Sequence, residues 1–425
     1  MHILLFEDSK YSNLYPLVYL RATYNIKCGA FSNEEKVLKF AKDRFPVSVH
    51  CRNELAGYMR DASTAVKVNE IIPDDYLFIN GKAVCNSDAL EFFLNPAGKD
   101  CVWRFGGEVV AANISAQNLS PIKEKIESAS GDNTLALNDF DIPGVTMREL
   151  SPEDMNENVF IVNYPWDIIK NLGAIIKEDL YGVIISTASL LMNIKGVHTI
   201  WDERKKNMYY GKAVNIFPTV VLDSLDGDIV IDDYAVIEPF TFIKGPAYIG
   251  KHSVVKAGTR IYGPCVIGEG SKVAGEISSS VFHSYVNKQH DGFVGNSYIC
   301  PLANLGADTV TSNLKNNYSD IKMNVGGESI DTGTRFVGSI IGDHSKFGVN
   351  TMLNTGTTAG IFANVFGGGF PPKIIDSFSW NPIGEAPSKY DIEKALATAR
   401  IVLERRSLTL TPHYEELIRN LFDTL

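Results

Sequence analysis

Residues 287–293 read NKQHDGF and set one histidine, His290, among Asn287, Lys288, Gln289, Asp291 and Gly292. Imidazole is the side chain whose ordinary pKa suits proton removal near neutrality, and a primary amine or hydroxyl attacking an acyl donor needs such a base. A surface histidine without a task would have the same neighbours, so the case rests on context. Downstream, GNSYICPLANLGADTVTSNLKNNY carries Asn304 at one turn and Asn313 at the start of an irregular stretch. Arg260, in AGTRIYG, has the ordinary reading of an outward-facing solvated residue. His283 and Tyr285 either line the same segment as His290 or pack it, and Lys373, after GGGFPP, has the ordinary reading of a solvated lysine.

These residues interrupt or border a repeat that must position them. Ile231, Ile237, Ile243, Ile249, Val255, Ile261, Ile267 and Val273 stand six apart without a break. Four places after each comes a mostly small residue (Ala235, Thr241, Ala247, Ser253, Thr259, Cys265, Ser271), with Ile277 as the exception. A period of six fits neither a helix nor a hairpin. It predicts a parallel β-helix in which each hexad forms one flat side and three hexads make one coil. The register resumes at Phe293, Ile299 and Leu305, and again at Ile341, Phe347, Leu353, Ala359 and Val365. Two loops are therefore expected to leave the coil, at Ser279–Gly292 and Ser312–Arg335, and long loops in a strict repeat usually serve function.

Residues 1–204 lack the hexad. They alternate apolar runs (HILLF, VSVHC, YLFIN, VWRF, NVFIVNY, YGVIIS) with helix-like stretches such as NEEKVLKFAKD and WDIIKNLGAIIKEDL, which predicts an α/β domain with a largely parallel sheet. The expected domains are 1–204, a β-helix over 205–380 with its boundary near DERKKN at 202–207, and a helical segment over 381–425. In that last segment, Ser388 with Asp391 and then Thr411 with Pro412 read as helix starts. With 425 residues and a formal charge of −10, the chain is too long for one core and too acidic for a nucleic-acid or anionic-membrane surface as its main partner. Neither a leader-like N-terminus nor an apolar run of about 18 residues is present, so a cytoplasmic protein is expected. The six cysteines show no ligand or disulfide spacing.

Taken together, these motifs resemble the acetyltransferase half of the bifunctional N-acetylglucosamine-1-phosphate uridylyltransferase and glucosamine-1-phosphate acetyltransferase family, left-handed hexapeptide β-helix enzymes. That family's histidine, asparagine-isoleucine-glycine-alanine-glycine-threonine turn and cysteine-asparagine-tyrosine stretch are matched by His290, by Asn304-Leu305-Gly306-Ala307-Asp308-Thr309 and by Ser312-Asn313-Leu314. The resemblance implies that His290 is the general base and that Asn313 positions the acceptor. It further implies that main-chain groups at Ala307 meet acetyl-coenzyme A, Arg260 holds the acceptor's phosphate, and Lys373 lies near the coenzyme A phosphates. Lys288 and Asn304 are candidate substrate contacts. A homotrimer with sites between subunits is implied as well. Ser278 replaces a lysine and Phe293 a tyrosine of the family, which points to an acceptor other than glucosamine 1-phosphate.

A branch of sugar nucleotidyltransferases with this same β-helix is closer still, sharing NKQHDGFVGNS and NLGADTVTSNLKNNY almost intact. Residues 14–29, LYPLVYLRATYNIKCG, resemble that branch's leucine-threonine-arginine-proline segment, with Arg21 matching the arginine and Ala22 replacing the proline. Arg21 and Lys27 are the implied cations for a nucleoside triphosphate, and Asn80-Gly81 stands where the family has a glycine-aspartate turn. No glycine-rich phosphate loop is present. Magnesium is thus expected only if the N-terminal domain is active. Three readings stay open: an acetyl-coenzyme A-dependent transferase acting on an amino-sugar phosphate or nucleotide amino sugar, a sugar-1-phosphate nucleotidyltransferase with a regulatory β-helix, and a trimeric sugar-nucleotide-binding scaffold.

Overall fold

The structure is a computed structural model. It describes all residues except 66, 129–132, 156–158, 187–188, 191–193 and 203–207, and at 96, 181–186 and 189–190 it describes the backbone only. The chain divides into two compact units, residues 1–14, 18–164 and 411–420 in the first and 15–17, 165–410 and 421–425 in the second. The division thus falls at 164/165 rather than 204/205, and most of the expected polar boundary at 202–207 lies outside the described residues.

The first unit is built on a six-stranded sheet of β1 (His2–Phe6), β2 (Val47–His50), β3 (Tyr76–Asn80), β4 (Cys101–Phe105), β5 (Glu108–Ile114) and β6 (Thr146–Glu149), in the order β2-β1-β3-β5-β4-β6. The β2/β1, β1/β3 and β4/β6 pairs are parallel and the two around β5 antiparallel, which bears out a largely parallel sheet. HILLF and YLFIN are wholly buried, as strands covered on both faces must be. Between them, Ser32 caps the helix Asn33–Ala41 in a capping box with Glu35.

One apolar run behaves differently from expectation. YGVIIS is no strand but the end of the helix Pro165–Ser186, which buries Leu172, Ile176 and Leu180 at helical spacing. A short apolar run cannot be told from buried helix by pattern alone.

The second unit is the β-helix. Its strands return to the same face every third element, so every ladder runs parallel between successive coils, and we number the faces in the order the chain visits them. Face one runs from Met208–Tyr210 to Ile374–Ile375, face two from Asn215–Ile216 to Ser379–Pro382, and face three from Val221–Asp223 onward. All eight aliphatic residues of the unbroken register are fully buried and stack in one core. Each such side chain contributes roughly 1.5–3 kcal/mol. The small residues are buried at the corners, where hydroxyls satisfy turn carbonyls: Thr241 donates to Glu238 O at 2.8 Å, Ser253 to Gly268 O at 2.9 Å and Thr259 to Lys256 O at 2.6 Å.

The expected first loop does not exist. Residues 279–292 form a regular coil with strands Val281–Phe282 and Asn287–Lys288, but a shortened one. Val255 pairs with Val273 eighteen residues on, whereas Val273 pairs with Lys288 only fifteen on, so a fixed six-residue window loses step. Ile277 is accordingly a core residue rather than a corner one, pairing with Ile261 and Val294, and the inward residue of the next strand is Val294 and not Phe293. The second loop is real and contains an antiparallel hairpin of Lys322–Val325 and Glu328–Asp331.

At the C-terminus, the helix Ile392–Glu404 is capped by Asp391, whose side chain accepts from Lys394 N, while Ser388 belongs to a short strand. The helix Pro412–Thr424 starts as expected, and its Phe422 meets Phe378 of the last coil edge-on at 5.3 Å.

Candidate active site

Where face two turns into face three, successive coils stack their corners, and His290 lies in this column with its side chain exposed. An open cleft of about 410 Å³ is lined there by Glu238, Lys256, Gln289, His290, Ala307 and Asp308, among others. The imidazole has no hydrogen-bond partner among the described residues, so it is available to a ligand. Its turn, by contrast, is held from several sides. Gly292 has φ +119°, and a Cβ there would lie 2.3 Å from Thr309 O, so only glycine lets the turn close on the coil above. Asp308 N donates to Asp291 O at 3.0 Å.

Lys288 supplies the third hold. It sits at an inward position, in register with Val273, and its residue is fully buried. From inside the prism Nζ donates to His290 O at 2.6 Å and to Asp291 O at 2.7 Å. Burial pushes its pKa down to about 8, against the opposing charges of Asp291 and Asp308. The expectation that Lys288 meets substrate is corrected by this placement: a fully buried ammonium touches no ligand, and what it touches is the histidine's turn. Beside that turn runs a ladder of amides, with Asn287 Nδ2 donating to Asn304 Oδ1 at 2.6 Å and Gln289 Nε2 to Asn287 Oδ1 at 2.6 Å. Asn304 therefore sits next to the histidine's turn, as a supporting group on face two.

Ala307 lines the cleft with His290, and its carbonyl accepts from Asn350 N at 2.7 Å. Arg260 and Phe293 are outward residues on face three, where Glu276 is paired with both. Arg260 is exposed and shares an ion pair with Glu276 at 3.3 Å, so part of its charge is already offset. Ser278 follows on the same face. Asn313 stands past the far end of face three, where its Nδ2 donates to Asn296 Oδ1 at 2.7 Å and would meet a Cβ on Gly295. Lys373, exposed, precedes the face-one strand Ile374–Ile375, on the edge between faces three and one. His283 and Tyr285 lie on the remaining edge, between faces one and two. Within one chain, then, His290, Ala307 and Asn304 come together, while Asn313 and Lys373 lie on another edge. Lys256 and Glu238, 2.5 Å apart in the cleft, were missed because nothing in their hexads marks them.

In the first unit the expected cations are buried. Lys27 is buried, and its Nζ donates to Ala30 O and Glu35 Oε2, both at 3.2 Å, closing its own loop. Arg21 is also buried. Neither lines the small cavity, about 100 Å³, at the carboxyl ends of β1 and β3, the place where α/β sheets receive ligands. Asn80 does line it, but its amide is committed, donating to Asp8 Oδ2 at 2.9 Å and Val109 O at 2.8 Å while accepting from Lys82 N at 2.9 Å. Gly81 leaves no room for a side chain, since a Cβ would approach Thr23 Oγ1 to 2.4 Å, and this packs the Arg21 segment onto the turn.

The chemistry here was carried by residues that sequence reading passed over. Lys82 Nζ, fully buried, lies 3.0 Å from Asp8 Oδ2 and 2.9 Å from Glu108 Oε2, and Lys10 Nζ reaches Glu108 Oε1 at 2.5 Å. Burial works against the Glu108 carboxylate, but the hydrogen bonds and charges of Lys10 and Lys82 outweigh it and hold its pKa below the ordinary value. Asp8 and Lys82 stand two residues past β1 and β3, and Glu108 opens β5, which was the available signal. These residues do not fit a magnesium ion: the carboxylates are already bridged by ammonium groups, and among the described residues no three His, Cys, Asp or Glu side chains gather into a metal-holding group. Nor is any described helix long and apolar enough to cross a membrane.

Comparison with known proteins agrees with this layout. Residues 3–184 match the sugar nucleotidyl transferase family. A bifunctional sugar-1-phosphate nucleotidylyltransferase/acetyltransferase of Sulfurisphaera tokodaii is 33% identical over 93 residues, 22% of this chain and 23% of that protein. The bifunctional protein GlmU of Methanococcus vannielii is 24% identical over 68% of this chain and 70% of its own length, and that of Methanococcus maripaludis 25% identical over 77% and 78%. The chain is thus similar to bifunctional sugar nucleotidyltransferase and acetyltransferase proteins, with its nucleotidyl transferase match confined to residues 3–184 and the corner that bears His290 outside it.

Proposed function

We propose that the β-helix transfers an acetyl group, or another acyl group, from acyl-coenzyme A to the amine of an amino-sugar phosphate or nucleotide amino sugar. The observation that carries this reading is His290: an imidazole with no partner among the described residues, in an open cleft, on a turn held by Lys288, Gly292 and the coil above. The amine nitrogen attacks the thioester carbonyl, the C–N bond forms and the C–S bond breaks. His290 takes the proton that the amine loses and returns it to the departing thiolate. In this reading main-chain groups at Ala307, in the same cleft, meet the acyl donor, and Arg260 on face three meets the acceptor's phosphate.

Asn313 and Lys373 lie on a different edge from His290 in one chain. A homotrimer, in which one subunit's edge meets another's, would let them join a shared site. Exposed Phe217, Phe240 and Val349 on the histidine's own edge support such a neighbour, because apolar side chains clustered on one edge favour a covering surface. The family match of residues 3–184 favours a second activity, sugar-1-phosphate nucleotidyl transfer, in the first unit. Cytoplasmic location accords with these substrates.

The test is a panel of amino-sugar phosphates and nucleotide amino sugars incubated with acetyl-coenzyme A, with release of free thiol as the readout. At least one acceptor should give thiol release that saturates with acceptor concentration. No release with any acceptor, alongside pyrophosphate release from nucleoside triphosphates and sugar phosphates, would move the activity to the first unit alone.

A further inference from the structure

The strand-end cavity of the first unit presents a combination that neither the acyl-transfer reading nor the family match assigns. Asp8, two residues past β1, and Glu108, at the start of β5, point carboxylates at one point, and that point is occupied by Lys82 Nζ at 3.0 and 2.9 Å. The Lys82 side chain is fully buried, and the two carboxylate side chains are 10% and 12% exposed. Lys10 closes the far side of Glu108. Asn80, whose backbone ends β3, fixes the geometry from below by holding both Asp8 and the backbone of Lys82. Two carboxylates converging at a strand end are what a hard divalent cation takes, with oxygen ligands and compensating charge. Here the two positive charges come from Lys82 and Lys10.

We propose that Lys82 is a built-in cation that stands where a divalent metal would otherwise sit, so that this cavity receives its ligand without a metal. The four charged groups balance, which leaves no open carboxylate for magnesium at this point. Removing the ammonium should therefore create a metal site. In Lys82→Met the two carboxylates lose the ammonium between them, and a divalent ion is the simplest species to replace its charge.

Manganese titration of the full chain, followed by the electron paramagnetic resonance of free Mn2+, tests this independently of any enzymatic activity. Wild type, Asp8→Asn and Glu108→Gln should bind manganese alike, and Lys82→Met should bind one further ion per chain that is lost again when Asp8→Asn is added. The melting temperature of Lys82→Met should rise with Mn2+ while that of wild type does not, since a ligand of the native state stabilises it. Wild-type manganese binding that Asp8→Asn or Glu108→Gln lowers would overturn the proposal. So would a folded Lys82→Met that binds no additional ion. If Lys82→Met fails to fold, the comparison of wild type with the two carboxylate variants still decides.

Discussion

Lys82 and Lys288 are both completely buried lysines, yet they are settled in opposite ways. Lys82, in the α/β unit, sits between two carboxylates, so its charge is matched by charge. Lys288, in the β-helix, stands in a column of aliphatic residues and meets only two carbonyl oxygens at hydrogen-bond distance. The first arrangement is a neutral structural network; the second leaves a cation under stress, with its pKa down to about 8. An aliphatic residue at 288 would stabilise the prism, as its equivalents above and below do. That a lysine stands there instead, with Nζ on the carbonyls of His290 and Asp291, indicates that holding this turn is worth a stability penalty in the coil.

The comparison can be broken in several places. Lys82→Met carries the largest expected effect, because it strands two nearly buried carboxylates; a loss of about 3–5 kcal/mol in the first unit is expected, read by urea unfolding in the absence of metal. Lys288→Met should behave otherwise and keep the coil folded. Its signature lies in alkaline solution. With a folded pKa near 8 against an unfolded value of 10.5, the native state holds fewer protons between those limits, so the lysine's penalty is full below pH 8 and is relieved as pH rises. Wild-type stability should therefore gain on Lys288→Met by on the order of 2–3 kcal/mol from pH 7.5 to pH 10.5. A gap that stays constant would mean that Lys288 is not desolvated.

The Lys82 network should respond at the other end of the scale. Glu108's pKa is held below its ordinary value, so its contribution is present above about pH 4.5 and lost as pH falls through its folded pKa. In turnover, Lys288→Met should lower kcat roughly tenfold to a hundredfold with little change in KM, the size expected when a base is displaced by a fraction of an ångström to one ångström. The smallest effect belongs to the exposed pair Arg260–Glu276: Glu276→Gln should change stability by less than about 1 kcal/mol. If Arg260 holds the acceptor's phosphate, the same variant should lower KM for the acceptor, because it frees the guanidinium.

The sequence made the β-helix legible because hexads repeat the same packing problem coil after coil, so aliphatic Ile231 to Val273 could be placed in the core from spacing alone. It misplaced the segment around His290 for a physical reason: a coil shortened by three residues keeps its ladder hydrogen bonds but breaks a fixed period, and so reads as a loop. Lys288, polar at an inward position, deepened that misreading. The histidine itself stood out by chemistry, whereas its cleft partners Glu238 and Lys256 lie in ordinary hexads and become visible only when coils stack. In the first unit, Arg21 and Lys27 were prominent by charge but are buried in their own segment. Asp8, Lys82 and Glu108 come from three different strand ends, a convergence that only the sheet order β1-β3-β5 reveals.

The central claim is that the corner bearing His290 is where acyl transfer takes place. Thiol release from acetyl-coenzyme A by His290→Ala, with an acceptor that the wild type uses and with the assembly size checked in parallel, tests it most directly. The expected result is a drop in kcat of about 10²–10⁴-fold with the assembly unchanged. Wild-type turnover in that variant would contradict the account.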